Sequence, residues 1–247
     1  MSLRTSTIGW AEVPPMFQSS ISFYLQRWWV WLILSLISVA AVFASATMLA
    51  DPITKKIATL VFSSVAGILM IVYALGQHKS TRFRDLISSN ISPLLGVALL
   101  LGAVNLVVWK FVELPILNLV ATPGEAAIYA GLPPSGDLKV ARPWVDALHT
   151  IIVFVCDSPL LLAPIFVITH GLNSAQALIL SIRAFAANWL LFLVLAIAQM
   201  GLHTFIQEPA WVFAIQAAMF IFVVAPIFTI LGVIMADRIC PHAISSP

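Results

Sequence analysis

Residues 29–49 read Trp29-Val30-Trp31-Leu32-Ile33-Leu34-Ser35-Leu36-Ile37-Ser38-Val39-Ala40-Ala41-Val42-Phe43-Ala44-Ser45-Ala46-Thr47-Met48-Leu49, a run with no charged side chain. A helix rising 1.5 Å per residue needs about 20 such residues to cross a hydrocarbon core roughly 30 Å thick. Five more stretches have this character: 57–76, 91–111, 146–169, 184–206 and 211–236. They are apolar throughout instead of alternating, which excludes a transmembrane barrel. The expected fold is therefore all-α: a polytopic membrane protein with six transmembrane helices and short interfacial amphipathic helices. Once six crossings are counted, the 247 residues leave room for one transmembrane domain, 1–247, and no separate soluble one.

Composition agrees, with 61% hydrophobic and 9% charged residues and a mean hydropathy of +1.04. The basic residues are scattered, so nucleic acid has no footprint. Membrane lipids are the expected partners, with other membrane proteins or further copies of the chain as alternatives. Residues 1–26 carry Glu12, Pro14 and Pro15 where a signal peptide would have its apolar region, so the first helix is expected to act as an uncleaved signal-anchor. Cys156 and Cys240 make neither a disulfide framework nor a metal motif.

Six crossings put both termini on one side. With the N-terminus inside, Arg4, Arg27, Lys79, Arg82, Arg84, Arg183 and Arg238 fall inside, and Lys55, Lys56, Lys110, Lys139 and Arg142 outside. The short loops sharpen that bias, since 77–90 is basic and 207–210 has no basic residue. Both termini are expected in the cytoplasm of a bacterium, with the chain in the inner (cytoplasmic) membrane.

Between the spans, Phe83, Leu86 and Ile87 make a short amphipathic helix in 77–90 that can lie at the membrane surface. Ala175, Leu178, Ile179 and Ile182 repeat the device at 173–183, where Asn173 and Gln176 resemble a capping box. Helix 2, surface helix, helix 3 would then mirror helix 4, surface helix, helix 5, through internal duplication or because re-entry favours such a segment. Arg82, Arg84 and Arg183 are candidate lipid-headgroup contacts. Residues 112–145, rich in Pro and Gly, are expected as a long periplasmic loop, with short helices over 116–120 and 126–130.

Asp157 is the sharpest candidate for chemistry, close to the midplane of helix 4. A carboxylate there is costly and normally faces the bundle or water with a partner. It reads either as a proton or cation site, or as a group hydrogen-bonded to backbone freed by Pro159. Asp146, His149, Cys156, Asp157 and Pro164 share one side of that helix. Asn105, His149, Gln199 and Gln216 map to the outer half of the membrane, where they line a polar cavity or pair between helices. The histidines lack a haem or metal pattern, so no cofactor and no metal are expected. Prolines 159, 164 and 226 interrupt helices 4 and 6, as in transporters.

The stretch Pro164-Ile165-Phe166-Val167-Ile168-Thr169-His170-Gly171-Leu172-Asn173-Ser174-Ala175-Gln176-Ala177-Leu178-Ile179-Leu180-Ser181-Ile182-Arg183-Ala184-Phe185, leading to Asn188-Trp189, resembles the YciC-like family of uncharacterised bacterial six-helix inner-membrane proteins. Arg84-Asp85-Leu86-Ile87 followed by Pro93-Leu94-Leu95-Gly96 fits the same pattern. The likeness covers about a third of the chain at motif level. It implies a fold and a location, and supplies no activity. The expectation is an inner-membrane accessory, assembly or envelope-homeostasis component that is not an enzyme. The alternative is a small transporter or channel using the polar stripe on helix 4.

Overall fold

The computed structural model describes residues 5–48, 51–129, 143–203, 215 and 218–240, and every regular element among them is helical. In chain order these are α1 (Val13–Gln26), α2 (Trp28–Met48), α3 (Pro52–His78), α4 (Phe83–Val108), α5 (Leu114–Val120), α6 (Pro123–Tyr129), α7 (Pro143–Asp157), α8 (Ala163–His170), α9 (Ser174–His203) and α10 (Ala225–Ile239). Wide π-turns at Trp109–Glu113 and Phe220–Val224 lead into α5 and α10, and a 3-10 turn at Ser158–Leu160 follows α7.

Among the described residues, three helices are long and apolar enough to cross a membrane: Ile57–His78, Phe83–Val120 and Phe220–Ile239. Two more candidates are bent pairs, Trp10–Gln26 with Trp28–Ala41 at 86°, and Ser174–Ala187 with Trp189–Leu195 at 84°. The stretch expected as one span over 146–169 is broken after Asp157, and its lower part, Ser158–His170, is shorter than a span.

The bends have local causes. Arg27 leaves helical geometry (φ −140°, ψ 40°) between α1 and α2, so the segment before the first expected span is a full helix set across it. In α9 the break is Asn188 (φ −128°, ψ 22°), whose amide takes over the bonding that the kink disrupts. Its Nδ2 donates to the carbonyls of Ala184 and Ser6, both at 3.1 Å, and its Oδ1 accepts from the Ile8 amide at 2.8 Å. The amphipathic helix expected at 173–183 thus runs from Ser174 to Ala187. Asn173 Oδ1 accepts from the Gln176 amide at 2.9 Å, and Gly171 supplies the left-handed turn before it (φ 62°).

The companion surface helix over 77–90 does not stand alone. α4 continues from Phe83 through Pro93 without a break, and Ser88, Ser89 and Asn90 turn their side chains back onto the carbonyls of Asp85 and Leu86. The mirror between the two surface helices therefore stops at the turn that precedes them, which uses left-handed Ser80 in one case and Gly171 in the other. The segment expected as loop from 112 is helical through Val120 and again over Pro123–Tyr129; 130–142 lie outside the described residues.

The core forms where α3, α8 and α10 meet one another. Val72 and Leu75, Ile165 and Phe166, Ile230 and Leu231 are its fully buried side chains. α2, α4 and the second limb of α9 flank that trio and expose apolar residues such as Leu36, Leu99 and Ile197, as helices facing lipid must. At one end of the trio, His78 Nε2 lies 2.8 Å from Asp237 Oδ2 and ties α3 to α10.

Candidate functional site

Prolines shape the polar interior. Pro226 has no N–H to give the carbonyls of Phe222 and Ile221, four and five residues earlier, and the chain widens into the π-turn at that place. Two side chains from other helices replace the missing donor. Tyr24 Oη donates to the Phe222 carbonyl at 3.0 Å and Ser35 Oγ to the Ile221 carbonyl at 3.1 Å.

Pro115 stands in the same relation to the turn Trp109–Glu113. The extra residue in that turn rotates Glu113 back toward the side of the helix that carries Asn105 and Trp109. Trp109 and Glu113 are accordingly buried, at 7% and 3% exposure. Opposite them on α7, His149 brings Nδ1 to 3.1 Å from Glu113 Oε1, at ion-pair distance but without hydrogen-bond alignment. One helical stretch earlier, Asn105 Oδ1 is buried with no hydrogen-bond partner among the described residues. The result is a carboxylate, an imidazole and an amide oxygen in the α4–α7 region.

Asp157 is the last residue of α7, so it marks the break in that helix instead of the middle of a continuous span. Beyond it Ser158 and Leu160 are buried, and the Leu162 amide at the start of α8 donates to Ser181 Oγ of α9 at 3.1 Å. The first limb of α9 thereby holds the broken end of the α7–α8 segment. Gln199 lies on the second limb of α9, and Gln216 lies outside the described residues. Of the expected polar set, then, the structure joins His149 to a partner the sequence reading had placed in a loop. Arg82, Arg84 and Arg183 are exposed. No cluster of three or more metal-ligating side chains occurs among the described residues.

Glu113 falls in the stretch expected as a loop from 112, because the third apolar run ends at 111. Leu114–Val120, free of charge and apolar except for Asn118, is the signal that the helix continues. Glu125 is buried too, but its role is local. It accepts from the Thr122 amide at 2.9 Å and from the Thr122 hydroxyl at 2.8 Å, which caps α6 ahead of Pro123.

Neither a family model, nor a curated protein, nor a solved structure matches this chain.

Proposed function

We propose that the chain is a small transporter or channel of the bacterial inner membrane, in which the Glu113–His149 pair takes up and releases a proton or small cation. It crosses the membrane six times, with both termini in the cytoplasm, in keeping with the resemblance to YciC-like proteins. The observation that carries this reading is the contact itself: a carboxylate at 3% exposure, 3.1 Å from a histidine on another helix, set there by a π-turn. Ionisable groups inside a membrane protein are costly and are concentrated along ion and proton pathways, and π-turns recur at functional sites. The break after Asp157 supports the reading, because interrupted helices are where transporters build their sites.

The test is flux through purified protein in vesicles that enclose a pH indicator, with proton and alkali-cation gradients imposed in turn. Wild type should pass one of these ions, and Glu113→Gln should lose at least tenfold of that flux with the helical content unchanged. Equal flux in both, or none above empty vesicles in either, would sink the proposal.

The second reading is an accessory or assembly component without catalysis of its own. It is favoured by α5, which leaves Leu119 84% exposed beyond Lys110, where an apolar side chain calls for a covering surface. A stoichiometric partner cross-linked to Leu119→Cys in native membranes would support it.

A further inference from the structure

We infer that the seam between α4 and α7 holds a second cation station, built from the Asn105 side-chain oxygen and the carbonyl end of α7, and that its occupant is an alkali cation. The inference deepens the reading of the Glu113–His149 pair, and the seam's role as an ion path rests on that reading. Two contacts set the register. Leu117 of α5, which continues α4, packs with Val145 of α7, and Glu113 meets His149. Four residues back from Leu117 thus answer to four residues on from Val145, so the two segments run antiparallel. Two more such steps bring Asn105 level with the last turn of α7, which stops at Asp157. The seam is pinned again further on, where Ser174 Oγ at the start of α9 donates to the Pro93 carbonyl at 3.0 Å. Asn105 therefore lies between two fixed points, on the side of α4 that Trp109 and Glu113 share.

What stands level with Asn105 is the negative end of a helix. The last carbonyls of an α-helix have no donor within it, and the aligned peptide dipoles leave about half a negative charge there. Pro159, in the turn that follows α7, has no N–H to return to the Val155 carbonyl. Ser158 and Leu160 of that turn are buried, so the break is closed in by protein. Asn105 Oδ1 is buried and has no hydrogen-bond partner among the described residues. An unmet buried acceptor is costly, and a cation relieves both it and the helix end. Unlike a carboxylate or an imidazole, an amide oxygen does not titrate, so a bare proton is not what this station holds. Oxygen donors suit a hard cation. The described residues hold no cluster of three or more acidic, histidine or cysteine side chains, so the charge fits a monovalent ion and not a divalent one. Freed carbonyls at broken helices hold sodium in transporters. Asn105 and Glu113 are eight residues apart on α4, roughly 12 Å at 1.5 Å per residue, a spacing that lets one ion leave as the next arrives.

Cation binding is measured on the full chain in detergent, from the thermal midpoint in lithium, sodium, potassium or choline chloride at one pH and one ionic strength. At least one alkali cation should raise the midpoint above choline, and its concentration dependence gives a dissociation constant. Asn105→Leu should weaken that constant at least tenfold. Asn105→Asp, which keeps an oxygen at the same place and adds a negative charge, should tighten it. The same two effects should persist in a Glu113→Gln background, where the first station is gone. No difference between any alkali cation and choline, or a constant that neither Asn105 variant moves, would overturn the inference. If Asn105→Leu shows no cooperative transition, Asn105→Asp decides alone, and a constant left unchanged or weakened by it overturns the inference. Binding and flux separate the two ideas. Proton flux without alkali-cation binding removes this station and leaves the Glu113–His149 reading standing; binding that depends on Asn105, without flux, removes that reading and keeps the station.

Discussion

At the scale of single residues, the molecule is sensitive where two helices approach without room between them. A β-carbon on Gly96 would collide with the Ser174 hydroxyl, which itself donates to the Pro93 carbonyl at 3.0 Å. Gly96→Ala should therefore lower stability by about 1–3 kcal/mol, as overpacking does. Combining it with Ser174→Ala should recover part of that loss, seen as a thermal midpoint in detergent above that of the single variant. Cys240, at the end of α10, is buried, and burial lifts its thiol above the ordinary range. The thiolate is the reactive form, so a raised pKa leaves less of it at any given pH. Alkylation of Cys240 in the folded protein should be slower than that of a free thiol and should accelerate only at more alkaline pH, as mass spectrometry of iodoacetamide-treated samples would record. An alkylation rate equal to that of the unfolded chain would contradict the burial.

At the scale of elements, proline decides where helices change. Pro115 and Pro226 each follow a π-turn by two residues, and each relation is visible once the missing N–H is traced back to the carbonyls it would have served. Tyr24 substitutes for that donor at Pro226, which makes a coupled pair. Tyr24→Phe should cost about 1–2 kcal/mol, the price of a buried acceptor left unmet. In a Pro226→Ala background the new amide can serve the Phe222 carbonyl itself, so the same Tyr24→Phe change should cost much less; equal costs in both backgrounds would refute the coupling. Apolar runs made the helical class legible in the sequence. They could not show that α4 already starts at Phe83, joining the expected surface helix to the span without a break. Nor could they show that Glu113 turns inward, because a one-residue change of helical phase leaves no mark in composition. His149 was legible as a polar residue on an apolar helix; its partner was not.

At the scale of the whole molecule, the ends of the described chain are fastened together. The Ser6 amide donates to the Ile239 carbonyl at 2.8 Å, Ser6 Oγ donates to the Arg238 carbonyl at 2.7 Å, and Asn188 bonds both Ser6 and Ile8. Asn188→Ala would strip three partners at once, so hydrogen exchange should quicken in 184–190 and in 5–9 together. Faster exchange in only one of the two segments would show that they are not joined through this side chain. No sequence pattern announced the contact, because a short polar segment acquires its partners only from the assembled tertiary structure. Its consequence lies in biogenesis. Ser6 leaves the ribosome well before the carbonyl it bonds, which belongs to a residue 233 positions later in the chain. The amide of Ser6 must stay in water, or on a chaperone, through the insertion of every intervening helix. Closure of this clasp is thus a late event in maturation, and a chain stalled before α10 would present residues 5–9 to proteases that the finished protein withstands.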